Sequence, residues 1–225
     1  MTPKNLSDRR KIGKINFGDL RRLTPVSRCW GFDRGAPIDR YYIEKFLEKN
    51  KAAIKGSVLE IQWAGYTRRF GGSKVRCSDV LDIDTSNKVA TIYADLRVTR
   101  ALPKEKYDCI IFTQTLQFID NYDVVIKNLR GMLKENGVLL CTLPSVSRID
   151  YKSGEKSDFW RFTKASARYI FKKHFAENKL QIHVYGNVFA DICFLAGISV
   201  EEISRGELDF YDEYFPLIVS VRAEK

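Results

Sequence analysis

The chain has 225 residues, 44% of them hydrophobic and 29% charged, a composition that suits one domain with a sizeable core and excludes disordered or fibrous material. No uninterrupted apolar run approaches the roughly 20 residues of a membrane span, and the N-terminal MTPKNLSDRRKIGK lacks the apolar centre of a secretory leader, so a cytoplasmic protein without a transmembrane segment is expected. The net charge of +10 is concentrated early, in Lys4, Arg9, Arg10, Lys11, Lys14, Arg21, Arg22 and Arg28; it could meet phosphate, an anionic lipid surface or an acidic protein, and so names a charge class but no partner.

In chain order, residues 1–37 read as a basic N-terminal arm, because breakers and mixed polarity leave no periodicity before Pro37. Residues 38–225 read as a single domain. Ile38, Tyr42, Ile43, Phe46 and Leu47 recur at helical spacing through Asn50, with Asp39 in the first turn where the helix dipole favours an acid. Val58-Leu59-Glu60-Ile61, bracketed by Gly56-Ser57 and Gly65, is too short and too apolar for a surface helix and reads as a buried strand ending in an acid. Further strands are expected at Val75–Asp79, Ala90–Ala94, Tyr107–Phe112, Gly137–Leu143, Leu180–Tyr185 and Pro216–Val221, and helices at Tyr122–Lys134, Thr163–Phe175 and Asn187–Ala196. The first of these helices has a stop signal in Lys134-Glu135-Asn136-Gly137. Alternating strands and helices predict a mostly parallel sheet covered on both faces. The last helix, NVFADICFLA, is apolar enough for a core element or a self-association face, hence an expected homodimer.

The five cysteines are odd in number and have no CxxC spacing, so they read as small buried apolar residues. His174 and His183 are too far apart for a zinc pair on one helix, and no metal site is expected. Basic and aromatic residues are not densely interleaved, which argues against nucleic acid as a partner.

Five pieces in order carry a resemblance: VLEI, an acid about 20 residues on, Ala94-Asp95-Leu96, YDCIIFTQTL from Tyr107, and LKENGVLL from Leu133. This order resembles the class I S-adenosylmethionine-dependent methyltransferases. It is most similar to bacterial members associated with sugar and polysaccharide biosynthesis, through RGAPIDRYYIE at Arg34 and DFWRFT at Asp158. The resemblance implies a Rossmann-like, doubly wound α/β sheet of about seven strands, mostly parallel with an antiparallel last strand, and S-adenosylmethionine as cofactor.

The same resemblance implies roles. Glu60 would lie near the methionine and ribose part of the cofactor. Asp79, or Asp82 as the alternative, would take the ribose hydroxyls, since one carboxylate accepts from both members of a diol. Asp95 and Leu96 would meet the adenine edge, and Thr113 and Gln114 the transferable methyl. The family's glycine-rich turn is altered: Gln62 and Ala64 stand where glycines are expected, leaving Gly65 as the nearby glycine. The loop then either takes another path, with Tyr66, Thr67 or Arg68 meeting the cofactor carboxylate, or is occluded.

On the acceptor side, Arg40, Tyr42, Asp158, Trp160 and Arg161 are the expected substrate contacts. The alternative for the last segment is that Thr163 caps the following helix while Trp160 and Phe162 pack beneath it. Methyl transfer to a hydroxyl needs alignment and proton removal; Asp39 is the preferred base, with Asp158 and Tyr42 as the others. The expected activity is O-methylation of a sugar or polysaccharide precursor, a small-molecule or glycan acceptor. Two other readings remain open: a non-catalytic methyltransferase-like partner of a glycosyltransferase or assembly enzyme, and a nucleic-acid methyltransferase.

Overall fold

The computed structural model describes Asn16, Gly18 and residues 21–225, with residues 154 and 155 described by backbone alone. The expectations for residues 1–15, including Lys4, Arg9, Arg10, Lys11 and Lys14, lie outside the described residues. From Ile38 onward the elements are α1 (Ile38–Lys49), β1 (Gly56–Ile61), β2 (Val75–Asp82), β3 (Ile92–Tyr93), β4 (Tyr107–Thr113), α2 (Tyr122–Met132) and β5 (Leu133–Pro144). There follow α3 (Gly154–Ser157), α4 (Lys164–Phe171), β6 (Leu180–Tyr185), α5 (Val188–Ala196), α6 (Arg205–Asp209) and β7 (Ile218–Glu224). The strands form one seven-stranded sheet in the order β3-β2-β1-β4-β5-β7-β6. Strands β1 to β5 pair in parallel, and β7 runs antiparallel to both neighbours. This is the doubly wound, Rossmann-like arrangement expected, with its order reversing between β1 and β4.

The near-continuous apolar strands follow from burial on both faces. Leu59, Ile110, Phe112, Leu139 and Cys141 point to the side packed by α2 and α4, against Val125, Leu129, Ile170 and Phe171. Val58, Cys109, Ile111 and Leu140 point to the other side, beneath Ile43, Phe46 and Leu47 of α1. A third cluster joins α1 to α5 through Ile38, Tyr42, Ala190, Cys193 and Phe194. Each fully buried Val, Leu, Ile or Phe among them contributes about 1.5–3 kcal/mol. No helix among the described residues is long and apolar enough to cross a membrane.

Several boundaries differ from the sequence expectation. The KENG segment is not a helix end: α2 stops at Met132, and Leu133 already pairs with Tyr107, so residues 134–137 bulge within β5, with Asn136 at φ +61°. The five-residue π-helical turn Thr67–Gly71 and the short helices α3 and α6 carried no periodic signal. Cys109, Cys141 and Cys193 are buried as expected, but Cys29 and Cys77 are exposed. The first half of β2 lies in an uncovered part of the sheet, where Arg76, Cys77 and Ser78 all meet solvent.

Before α1 the chain lies on the end of α5. The Val26 and Ser27 N–H groups donate to the Ala196 carbonyl at 2.7 and 3.2 Å, Pro37 bridges to Ser199, and Arg34 forms an ion pair with Glu202. Gly197 makes this seat possible: it closes α5 at φ +75°, and a Cβ there would run into the Ser27 carbonyl.

Candidate functional site

A cavity of about 910 Å³ opens at the C-terminal edge of the parallel strands, beside the β1/β4 reversal. This is where open α/β sheets hold ligands. The strand ends supply one wall through Ile61, Gln62, Asp82, Asp95, Leu96 and Gln114. Asp39 and Arg40 of α1, Trp30 and Phe32 before it, and the segment after β5 supply the other.

Glu60 does not face this cavity. Its buried carboxylate accepts from the Tyr66 N–H (3.2 Å), the Thr67 N–H (2.8 Å) and the Thr67 hydroxyl (2.8 Å). It therefore holds the first residues of the Thr67–Gly71 turn. Burial pushes this carboxyl above its ordinary range, against the hydrogen bonds from Thr67 and Tyr66. Tyr66 and Thr67 are themselves buried, Arg68 points to solvent, and Gly65 lies under the Trp63 ring, where a Cβ would come within 2.6 Å. None of the four lines the cavity. Gln62 does, and it takes φ +66°, the left-handed conformation a glycine would supply. Its N–H donates to the Leu81 carbonyl and its own carbonyl accepts from the Asn87 amide, which fixes the turn.

The two acids of β2 separate clearly. Asp79 stands away from the cavity and accepts from Lys106 (2.7 Å), Thr91 (3.0 Å) and Tyr107 (3.0 Å). Burial pushes its carboxyl up, but these three donors outweigh burial and hold it below the usual range. Asp82, at the strand end, lines the cavity and is oriented by the Asn87 amide (2.7 Å) and the Asp84 N–H (3.0 Å).

Asp95 and Leu96 enter the same wall. The Arg97 guanidinium grips both Asp95 oxygens and reaches Asp120 at 3.2 Å, and the hydrogen bond from Arg97 holds the Asp95 carboxyl down. The Leu96 carbonyl accepts from Asn128, whereas its N–H has no hydrogen-bond partner among the described residues. Gln114 lines the cavity at φ +47°, its N–H donating to the Thr142 carbonyl; Thr113 sits behind it and does not.

On the opposite wall, Asp39 has one carboxylate oxygen that is buried and has no hydrogen-bond partner among the described residues. Burial pushes this carboxyl up, opposed by Arg40 and nearby backbone N–H groups. Arg40 lies over the Phe32 ring and reaches the Tyr66 hydroxyl at 3.5 Å. Tyr42 is on another side of α1: its buried hydroxyl donates to the Leu208 carbonyl at 2.8 Å, and burial raises it above its ordinary range. Asp158 and Arg161 line the cavity as a bidentate pair at 2.6 and 3.1 Å. They also tie down the loop after β5, through the Asp150 N–H and the Arg148 carbonyl. Trp160 turns away. Its indole donates to the Ile119 carbonyl at 3.0 Å and packs edge-on to Tyr122, while Phe162 is buried and Thr163 caps α4 in a capping box with Ser166.

Among the lining residues that sequence reasoning missed are Trp30, Phe32, Arg148 and Phe159. The Arg148 guanidinium is sandwiched between the Trp30 ring at 3.4 Å and the Tyr151 ring at 4.3 Å. Only the fold brings these residues together, although the aromatics of CWGFDRG were a signal that could have been weighed.

No protein-family model and no curated protein matches the chain. Its fold, however, is similar to many solved structures. A SAM-dependent methyltransferase from Archaeoglobus fulgidus superposes with a TM-score of 0.56 at 14% identity, over 83% of this chain and 94% of the other. An S-adenosylmethionine-dependent methyltransferase from Mesorhizobium loti gives 0.52 at 14% identity, over 87% and 100%. The [4+2]-cyclase SpnF gives 0.54 at 10% identity, over 85% and 84%, so neighbours of this shape differ in chemistry. At these identities the likeness establishes architecture alone: the chain has the Rossmann-like fold of the class I S-adenosylmethionine-dependent methyltransferases.

Proposed function

We propose that the protein is an S-adenosylmethionine-dependent methyltransferase that O-methylates a hydroxyl of a sugar or glycan precursor. The observation that carries this reading is one cavity with two unlike walls. Asp82 and the unengaged Leu96 N–H stand at successive strand ends, and Asp39, with one unpartnered carboxylate oxygen, stands opposite. The donor set suits the cofactor. Asp82, already oriented by Asn87, would accept from the ribose diol; Leu96 N–H and the Asp95 carboxylate would meet the adenine edge, Arg97 sharing Asp95 with it. Bound there, the cofactor supplies an electrophilic methyl on a sulfonium.

The chain's own tasks are to orient the acceptor and to remove its proton. Asp39 suits the second task, because a buried carboxyl with a raised pKa is a stronger base than an exposed one. Phe159, and the parts of Trp30 and Phe32 not covered by Arg148 and Arg40, offer apolar surface to a sugar ring, and these charged side chains offer partners for its hydroxyls. Asp158 and Arg161 position this wall by holding its loop. The altered glycine turn does not argue against cofactor binding, since Gln62 already adopts the left-handed backbone that glycine would provide.

Calorimetric titration with S-adenosylmethionine tests the reading. Micromolar binding is expected, weakened about 100-fold or more by Asp82→Ala through loss of a charged hydrogen-bond acceptor, and unchanged by Asp79→Asn. Absence of binding to the folded protein would overturn it in favour of a non-catalytic partner of an assembly enzyme. With binding established, methylation of a sugar panel that survives in Asp39→Asn at full rate would remove Asp39 from the role of base.

A further inference from the structure

Helix α5 is apolar on both faces, with Ala190, Cys193 and Phe194 packed inward. Its one charged residue, Asp191, is buried with a carboxylate oxygen that has no partner among the described residues. Its apolar Val188, Ile192 and Leu195 face solvent at 48%, 44% and 45% exposure. The following loop extends the same surface. Asn187 donates to the Phe210 carbonyl and the Asp212 N–H to the Gly186 carbonyl, placing exposed Phe210, Tyr214 and Phe215 beside the start of α5.

With Phe189 and Tyr211, which are also exposed, and about 200 Å² for a fully exposed large apolar side chain, the patch amounts to roughly 800 Å². The largest apolar patch of an ordinary monomer is about 300–600 Å². One side of a stable interface is about 800 Å².

Both ends of the patch carry charges of both signs: Asp212 and Glu213 beside a pocket lined by Lys45, Lys49 and Lys164 at the start of α5, and Arg34 paired with Glu202 at its end. Charge therefore does not set two copies against one another, and a patch of this size can close on itself about a twofold axis. We propose that a second copy of this chain covers the α5 and 210–215 surface, forming a homodimer.

Sedimentation velocity on the full chain over a range of concentrations tests this. A species of twice the 26.0 kDa chain mass is expected. The double variant Ile192→Glu, Leu195→Glu should weaken association at least about 100-fold, because it buries unpaired charge at the centre of the contact, while far-UV circular dichroism stays that of the folded wild type. A monomer at every concentration would overturn the proposal. So would a dimer indifferent to the double glutamate variant, or a monomer that co-sediments with phosphatidylserine vesicles through the same residues.

Discussion

Glu60→Gln separates a structural acid from a ligand-binding one. In the structure the Glu60 carboxylate receives three donors, two on one oxygen and one on the other. A glutamine can keep the Thr67 pair on its carbonyl oxygen, but its amide then faces the Tyr66 N–H, so one hydrogen bond is lost and one buried N–H is left unsatisfied. That costs about 2–3 kcal/mol, or a fall of about 4–12 °C in melting temperature for a chain of this size. The sign of the pH effect is fixed too. A buried carboxyl raised above its unfolded value binds more protons when folded, so its contribution to stability falls as pH rises above the ordinary glutamate range. The glutamine variant should lose that slope. Calorimetric melts across acid to neutral pH read both effects, and S-adenosylmethionine titration of the same samples reads the site. Binding should weaken by no more than about threefold, since the carboxylate is outside the cavity. An unchanged melt with affinity down 100-fold would refute the reasoning and return Glu60 to direct contact with the cofactor.

Asp191→Asn should stabilise the protein at neutral pH. Burial pushes this carboxyl up to about 7 from 3.8, a displacement worth about 4 kcal/mol if undiminished, cut to about 2 kcal/mol by solvent near the first turn of α5; the wild type should lose that stability between pH 4 and 7 and the variant should not, as urea midpoints would show. Gln62→Gly should leave stability within about 1 kcal/mol of wild type, while Gln62→Val should cost about 1–2 kcal/mol, because a β-branched residue resists φ +66°; equal denaturation midpoints for the two would contradict the left-handed turn. With an acceptor in hand, the acid limb of kcat/KM should lie above the ordinary aspartate range and disappear in Asp39→Asn, in line with the raised Asp39 carboxyl. A limb retained in the variant would assign it to another group.

Much of the fold was legible because burial writes itself into residue type. Strands β1 and β4 sit between covered faces, so VLEI and CIIF had to be continuous apolar runs, and the order of such runs among helices predicts the parallel sheet. The antiparallel last strand came from the resemblance and agrees with the pairing of β7. The site was legible only in part. Gln114 directly follows β4, and Asp95 and Leu96 come two and three residues after β3, where the chain is still at the C-terminal edge. Choosing between Asp79 and Asp82 required the length of β2, which its solvent-facing first half conceals. In DFWRFT the residue types gave no orientation: Asp158 and Arg161 reach the cavity while Trp160 turns to Ile119. The Arg148 stack on Trp30 joins two segments that no local pattern connects.

The VLEI strand remains the centre of the site, through a different route from the one its motif implies. Glu60 spends its hydrogen-bonding capacity on Tyr66 and Thr67, which anchors the turn that carries Tyr66. The Tyr66 hydroxyl meets Arg40, next to Asp39 in the first turn of α1. The acid at the end of β1 therefore acts on the wall opposite its own strand, by setting the turn against which the Asp39–Arg40 pair is placed. Gln62 takes the left-handed backbone at this turn, and the acid positions α1. Loosening the turn should thus disturb the acceptor side before the cofactor side, the reverse of what direct contact between Glu60 and the cofactor would give.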